Sequence, residues 1–130
     1  MVRSTIDQRF MRRALALARK GRGRTSPNPM VGCVIVKNGK VIAEGWHKFC
    51  GGHHAEVMAL KLAGVKAAGS TMYVTLEPCS HWGRTPPCVD AILKAGVKAV
   101  VVAMTDPNPV NNGRSLRMLK KAGVKVVTPV

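Results

Sequence analysis

Strand-like runs and helix-like segments alternate along most of this chain, and that alternation limits the folds open to it. VGCVIVKNGKVIAEGW, residues 31–46, reads as a β-hairpin with Asn38-Gly39 at the tight turn, since these residues accept the positive φ that a two-residue hairpin turn requires. TMYVTLE (71–77), KAVVVAM (98–104) and a short run at 124–127 supply three more strands. KAVVVAM is apolar throughout, the pattern of a strand covered on both faces. Between them, HAEVMALKLA (54–63) reads as a helix closed by Gly64. A second helix starts near Pro86-Pro87, where proline suits the first turn, and runs to about Ala95; a third spans about 113–122. Ahead of all these, Thr5 and Gln8 form a capping box for a helix reaching about Lys20. Ile6, Phe10, Ala14 and Leu17 face the core, and Gly21 ends the helix. The order α-β-β-α-β-α-β-α-β implies an α/β fold, a three-layer α/β/α sandwich around a mixed, largely parallel five-stranded sheet. Ligands of such sheets collect in loops beyond the carboxyl ends of the strands.

At 130 residues with no low-complexity linker and no internal repeat, the sequence is read as one domain over 1–130, long enough to bury a core. Aromatics are only 4% of the chain, so that core is built from Val, Ile, Leu, Ala and Met. No apolar run approaches the roughly 20 residues a bilayer needs. The basic N-terminus lacks the continuous apolar stretch of a signal peptide, and a cytoplasmic soluble domain is expected. Lys and Arg number 21 against 6 Asp and Glu, a formal net charge of +15. That excess favours an anionic partner, either a phosphorylated small molecule or a nucleic acid backbone, although a solvated basic surface accounts for it equally well. With so few acids, each one invites a question about its role, and Glu56, Glu77 and Asp106 all fall in motif-like segments.

The cysteines narrow the chemistry. Four of them could form two disulfides, but no secretory signal accompanies them, and intracellular thiols stay reduced. Cys33 lies in an apolar run and reads as a core residue; Cys50 sits in a Gly-rich loop. Cys79 and Cys88 are eight residues apart in between, and both follow a strand, while His54-Ala55-Glu56 opens a helix. Zinc takes imidazole and thiolate ligands, and a catalytic zinc keeps three protein ligands and one open position for water. His54, Cys79 and Cys88 supply that set. Such a metal lowers the pKa of its water to about 7. A carboxylate that is not a ligand must then shuttle protons, and Glu56 stands two residues from a ligand. Two helical residues at that spacing point apart, so the pairing works only at the helix's first turn. Cys88 at the start of its own helix gains a local preference for thiolate over thiol. A closed structural zinc, with His81 or Cys50 as fourth ligand, is the alternative; it leaves Glu56 idle beside the metal.

HAE followed by a PC…C segment resembles the zinc deaminases. TSPNPMVGCVIVKNGKVIAEGWH, GGHHAEVMAL, YVTLEPCSHWGRTPPCVDAI and AMTDPNP resemble, more narrowly, the deaminase domain of the bifunctional riboflavin-biosynthesis deaminase/reductases, over about residues 10 to 110. The eight-residue spacer SHWGRTPP is the most specific part, because cytidine and nucleic-acid deaminases mostly carry a short CxxC. The resemblance implies a cytidine-deaminase-like fold and hydrolytic removal of the ring 2-amino group of 2,5-diamino-6-ribosylamino-4(3H)-pyrimidinone 5′-phosphate, with release of ammonia. It makes His54, Cys79 and Cys88 the ligands of a Zn2+ ion and Glu56 the catalytic proton shuttle. It implies substrate contacts from Asn28, His47, Arg84, Asp106 and Asn108. Asn and Asp suit a polar ring edge and ribose, and Arg84 suits a phosphate. Turn formation beside proline accounts equally for Asn28, Asp106 and Asn108, and does not exclude contact.

The sequence also departs from the pattern. His53 stands where Pro is usual, Met58 where His is usual, and VNNGRS follows DPNP where a V-A-G-R-G-like stretch is usual. The fused reductase segment is missing, so the chain is either a stand-alone deaminase served by a separate reductase or an excised domain. The resemblance further implies a homo-oligomer. A deaminase of tRNA-type nucleic acid, or of a free nucleobase or nucleoside, is the alternative. The +15 charge favours a nucleic acid, while the long spacer and a total of five aromatics oppose one, since stacking platforms need aromatic rings. A non-catalytic zinc scaffold or basic binding module is a third reading. No membrane partner is expected.

Overall fold

The structure, a computed structural model, describes residues 5–21, 30–47, 54–80 and 87–128, with side chains from Gln8 onward. Helix α1 (Thr5–Ala18) runs into a short 3-10 turn (Arg19–Gly21), followed by strands β1 (Gly32–Lys37) and β2 (Lys40–Trp46). Helix α2 (Ala55–Ala63) and a 3-10 turn (Gly64–Ala67) lead to β3 (Thr71–Val74). Helix α3 (Cys88–Ala95), β4 (Ala99–Val102), α4 (Arg114–Lys121) and β5 (Lys125–Val127) complete the order. The hairpin forms where expected, with Asn38 at φ 53° and Gly39 at φ 76°, both in the region that its primed turn demands. The capping box at the start of α1 involves side chains outside the described set.

The five strands form one mixed sheet in the order β2-β1-β3-β4-β5. Its pairings divide evenly, two antiparallel (β1 with β2 and with β3) and two parallel (β3 with β4, β4 with β5), so the sheet is less parallel than the sequence suggested. The reason is that β1 lies between β2 and β3. Those two strands therefore run parallel to each other, and α2 crosses over β1 to join them. The three crossovers through α2, α3 and α4 thus step across the sheet in one direction. With the usual right-handedness, all three helices fall on one face.

Alternation along the strands divides the core accordingly. Cys33, Ile35, Met72, Val74, Val100 and Val102 point into the cluster that α2, α3 and α4 cover. Val34, Val36, Tyr73 and Val101 point the other way, onto Met11, Ala14 and Leu17 of α1. Phe10 is only half-buried and packs its ring against Tyr73 at 5.2 Å. Strands β3 and β4 are shorter than their apolar runs. β3 ends as Thr75 turns back onto β1, where its hydroxyl accepts the Gly32 N–H at 3.1 Å. From there the chain leaves the sheet toward Cys79.

One close approach sets how β2 packs against the start of α2. A Cβ on Gly45 would lie 2.4 Å from the Ala55 carbonyl oxygen and 2.9 Å from the Ala59 nitrogen, so β2 presses its bare backbone onto the first turns of α2. These obstacles are main-chain atoms and cannot rotate away. Gly45→Ala is expected to destabilise the fold by about 1–3 kcal/mol, the usual cost of overpacking. The denaturant midpoint, compared with that of Leu62→Ala on the exposed face of α2, measures this, and an unchanged midpoint for Gly45→Ala would contradict it.

Candidate metal centre

Each of the three predicted ligands sits where one element gives way to another. His54 is the N-cap of α2, with extended backbone (φ −68°, ψ 155°) and no side-chain capping bond, so its ring is spared for other work. Its carbonyl accepts the first helical bond from Met58 N–H at 3.1 Å. Pro87 caps α3, and Cys88 is that helix's first residue, almost fully buried. Cys79 lies on the segment that leaves β3. Its sulfur accepts the Cys88 backbone N–H at 3.1 Å, and its carbonyl accepts Val89 N–H at 3.2 Å. Cys88 thus stands at the start of its helix, as expected, and the first N–H of α3 is aimed at the sulfur of Cys79.

The three side chains converge. His54 Nδ1 lies 3.0 Å from Cys88 Sγ and 3.8 Å from Cys79 Sγ, and the three donor atoms all fall within 4.8 Å of one another. A tetrahedral zinc with its ordinary bond lengths separates N and S ligands by about 3.6 Å. The donor set and its spacing fit such an ion. Among the described residues no other His, Cys, Asp or Glu joins the group. His81 and Cys50, the candidate fourth ligands, lie outside the described residues, as does His53.

Electrostatics agree with a cation's place. Hydrogen bonding from the Cys88 side chain, with further bonds from His54 and the Cys88 N–H, draws the Cys79 thiol down to about 4. The same contact with Cys79, with burial added, pushes Cys88 upward. His54 is raised, first by its bond to Cys79. The pair thus holds one proton against a thiolate. A cation in its place relieves both sulfurs.

Glu56 occupies the first turn of α2, buried at 4% exposure, and burial pushes its carboxyl up to about 7. The N-cap geometry answers the spacing problem: His54 is still extended while Glu56 is already helical, so residues two apart can serve one site. Cys33 of β1 is completely buried, and the charge of Glu56 helps to raise its thiol after burial itself. It is a core residue, as expected. Met58, half-buried, follows on α2.

The predicted substrate residues divide. His47, 3% exposed, sets its ring edge-on to His54 at 5.6 Å, and so belongs to the same cluster. Asn28 and Arg84 lie outside the described residues. Asp106 and Asn108 adopt the turn role: Asp106 Oδ1 accepts Asn108 N–H at 2.9 Å, and Asn108 Oδ1 accepts Val110 N–H at 3.0 Å. Asp106 is half-buried and Asn108 exposed.

Two buried polar residues were given no role by sequence reasoning. Glu77, 3% exposed, accepts N–H groups from Asp106 (3.0 Å), Gly113 (2.9 Å) and Ser115 (3.2 Å), and the Ser115 hydroxyl (2.8 Å). It is the anion at the N-terminus of α4, supplied from within the chain. Asn111, fully buried, bonds to Pro78, Ser80 and Asp106. The scarcity of acids pointed toward Glu77, whereas Asn111 was marked only as part of the unusual VNNGRS stretch.

Comparison with known proteins agrees with this geometry. Residues 4–104 match the family described as the cytidine and deoxycytidylate deaminase zinc-binding region. The chain is 59% identical to riboflavin biosynthesis protein RibD of Escherichia coli strain K12, over 92% of its own length and 33% of that protein. It is 53% identical to the diaminohydroxyphosphoribosylamino-pyrimidine deaminase of Buchnera aphidicola subsp. Schizaphis graminum, over 92% of its length and 82% of that protein. Among solved structures, Acinetobacter baumannii RibD superposes with a TM-score of 0.94 at 54% identity, over 96% of this chain and 35% of that one. The chain spans about a third of the length of the RibD relatives it matches.

If the three residues are ligands and Glu56 is not, purified protein will carry about one zinc per chain. Cys79→Ala and Cys88→Ala will lose it, and Glu56→Gln will keep it. Metal analysis of the four proteins checks this, and zinc retained by both cysteine variants would contradict it.

Proposed function

Because the chain belongs to the family of the cytidine and deoxycytidylate deaminase zinc-binding region, we propose that it deaminates 2,5-diamino-6-ribosylamino-4(3H)-pyrimidinone 5′-phosphate, exchanging the ring 2-amino group for an oxygen from water and releasing ammonia. The observation that carries this reading is the His54–Cys79–Cys88 cluster with a buried, non-ligating carboxylate, Glu56, in the adjoining helical turn. Support for the substrate comes from the Buchnera aphidicola relative, named for this deamination, of which the chain covers most.

Zinc held by His54, Cys79 and Cys88 supplies Lewis-acid activation of a water molecule. Glu56 does the proton work. It takes a proton from the attacking water, passes it to the ring nitrogen beside the amino-bearing carbon, and carries the second proton to the departing amine. A carboxyl raised to about 7 by burial both accepts and donates near neutrality. His47, whose ring stands edge-on to that of His54, is assigned to the pyrimidine. Asn28 reads the ring edge, and Arg84 pairs with the 5′-phosphate, to which a guanidinium offers two parallel donors. Asp106 spends one oxygen on its turn and the other on the Asn111 amide, and so holds the loop, while Asn108 spends only its oxygen on the turn, which leaves its NH2 group for the ribose side. A homo-oligomeric assembly, working in the cytoplasm and handing its product to a reductase, accompanies this reading.

A second reading, deamination of a nucleic acid, rests on the +15 charge. Ammonia release from the zinc-loaded protein separates the two when the ribotide, cytidine and a tRNA pool are offered in turn. The proposal expects turnover of the ribotide alone, lowered in Glu56→Gln on the order of 10²–10⁴-fold, the usual contribution of a positioned acid-base group. Turnover confined to RNA would contradict it, as would full activity in Glu56→Gln.

A further inference from the structure

The buried amide of Asn111 joins two segments that the proposed reaction uses separately. Its NH2 group donates to the Pro78 carbonyl at 3.0 Å and to Asp106 Oδ2 at 3.2 Å, while its oxygen accepts the Ser80 hydroxyl at 2.5 Å. Both donors and the acceptor of the amide are thereby engaged, and the side chain is fully buried. Pro78 and Ser80 are the two neighbours of Cys79, so the ligand is gripped from either side. Asp106 uses its other oxygen to hold the turn at Asn108. One side chain thus spans the turn that presents a metal ligand and the loop assigned to the ribose. Removing it leaves the buried Pro78 carbonyl and Ser80 hydroxyl, and an oxygen of the half-buried Asp106, short of a partner, the costly way to break a hydrogen-bond network.

The surroundings give Asn111 its place. Asn111 and Asn112 N–H both return to the Asn108 carbonyl, at 3.1 and 2.9 Å, and the Asn112 side chain donates to the Asp106 carbonyl at 2.8 Å. Ser115 fastens the start of α4 to Glu77. Asn111, Asn112 and Ser115 of the unusual VNNGRS stretch therefore serve to fix this loop, and Asn111 is the one that reaches the metal side.

We propose that Asn111 is a positioning residue that couples the metal-ligand turn at Cys79 to the recognition loop at Asp106–Asn108, so that the protein's grip on zinc and its affinity for the ribotide both depend on it. The inference rests on the reading of the site given above. It is tested on the zinc-loaded full chain by the rate at which zinc passes to excess chelator, well below each variant's melting temperature and without substrate. Asn111→Ala should release zinc about 10–100-fold faster, the range for groups that orient a ligand. Asp106→Ala should also accelerate release, but should add little in the Asn111→Ala background, because its effect travels through that amide. In the same variant the KM for the ribotide should rise about 10-fold. Wild-type zinc release in Asn111→Ala, independent multiplication of the two substitutions, or an unchanged KM in a protein that turns the ribotide over would each overturn it. If the wild type does not act on the ribotide, the proposed function falls, and the zinc cycle still decides the coupling. Asn111→Ser takes the place of Asn111→Ala, with the same outcomes, should the latter not fold.

Discussion

Three crossovers that step the same way across the sheet place the chemistry of this protein. Because β2, β3 and β4 run parallel to one another, each of the helices that follow them starts at the same edge. The start of α2 brings His54 and Glu56 there, the start of α3 brings Cys88, and the loop before α4 brings Asp106 and Asn108. The segment leaving β3 adds Cys79 between them. Residues from 54 to 108 thus meet without any long excursion of the chain. The arrangement depends on close backbone contact as well as topology, since β2 meets α2 through the bare backbone of Gly45.

Charge is used sparingly in this frame. Two carboxylates are buried at that edge, in contrasting surroundings. Glu77 is surrounded by N–H and O–H donors from the loop at Asp106 and the start of α4, and its work is to hold them. Glu56 is held above the ordinary carboxylate range mainly by burial, and that suits a group that gains and loses protons. The remaining described acids have visible tasks as well: Glu44 pairs with Arg13 across α1 and β2, Asp90 lies in the first turn of α3, and Asp106 shapes its loop. In a chain of +15, a carboxylate is the scarce resource.

Much of this was legible in the sequence because the signals were local. Asn38-Gly39 marks a hairpin by its own conformational preference, and His54-Ala55-Glu56 with Cys79 and Cys88 marks a metal by the chemistry of the residue types. The apolar runs found their strands but overshot their ends, since Thr75 and Ala103 are apolar-compatible positions where tertiary contacts, not composition, turn the chain out of the sheet. The balance of parallel and antiparallel pairing was not legible, because it depends on β1 lying between β2 and β3. Nor was the recipient of the α3 N-terminus, which is a through-space neighbour nine residues away. Asp106 and Asn108 read as turn formers and are such. Asn111 fell in the unusual VNNGRS stretch, but nothing there gave it a role: its three partners lie 5 to 33 residues away in sequence, and only the fold brings them to it.

Everything in the proposed chemistry turns on an open zinc site with three protein ligands and a position left for water. X-ray absorption at the zinc edge of the loaded protein addresses it directly. Two sulfurs at about 2.3 Å and two lighter ligands at about 2.0–2.1 Å are expected, with scattering from a single imidazole. A third sulfur or a second imidazole in the shell would close the site and contradict it.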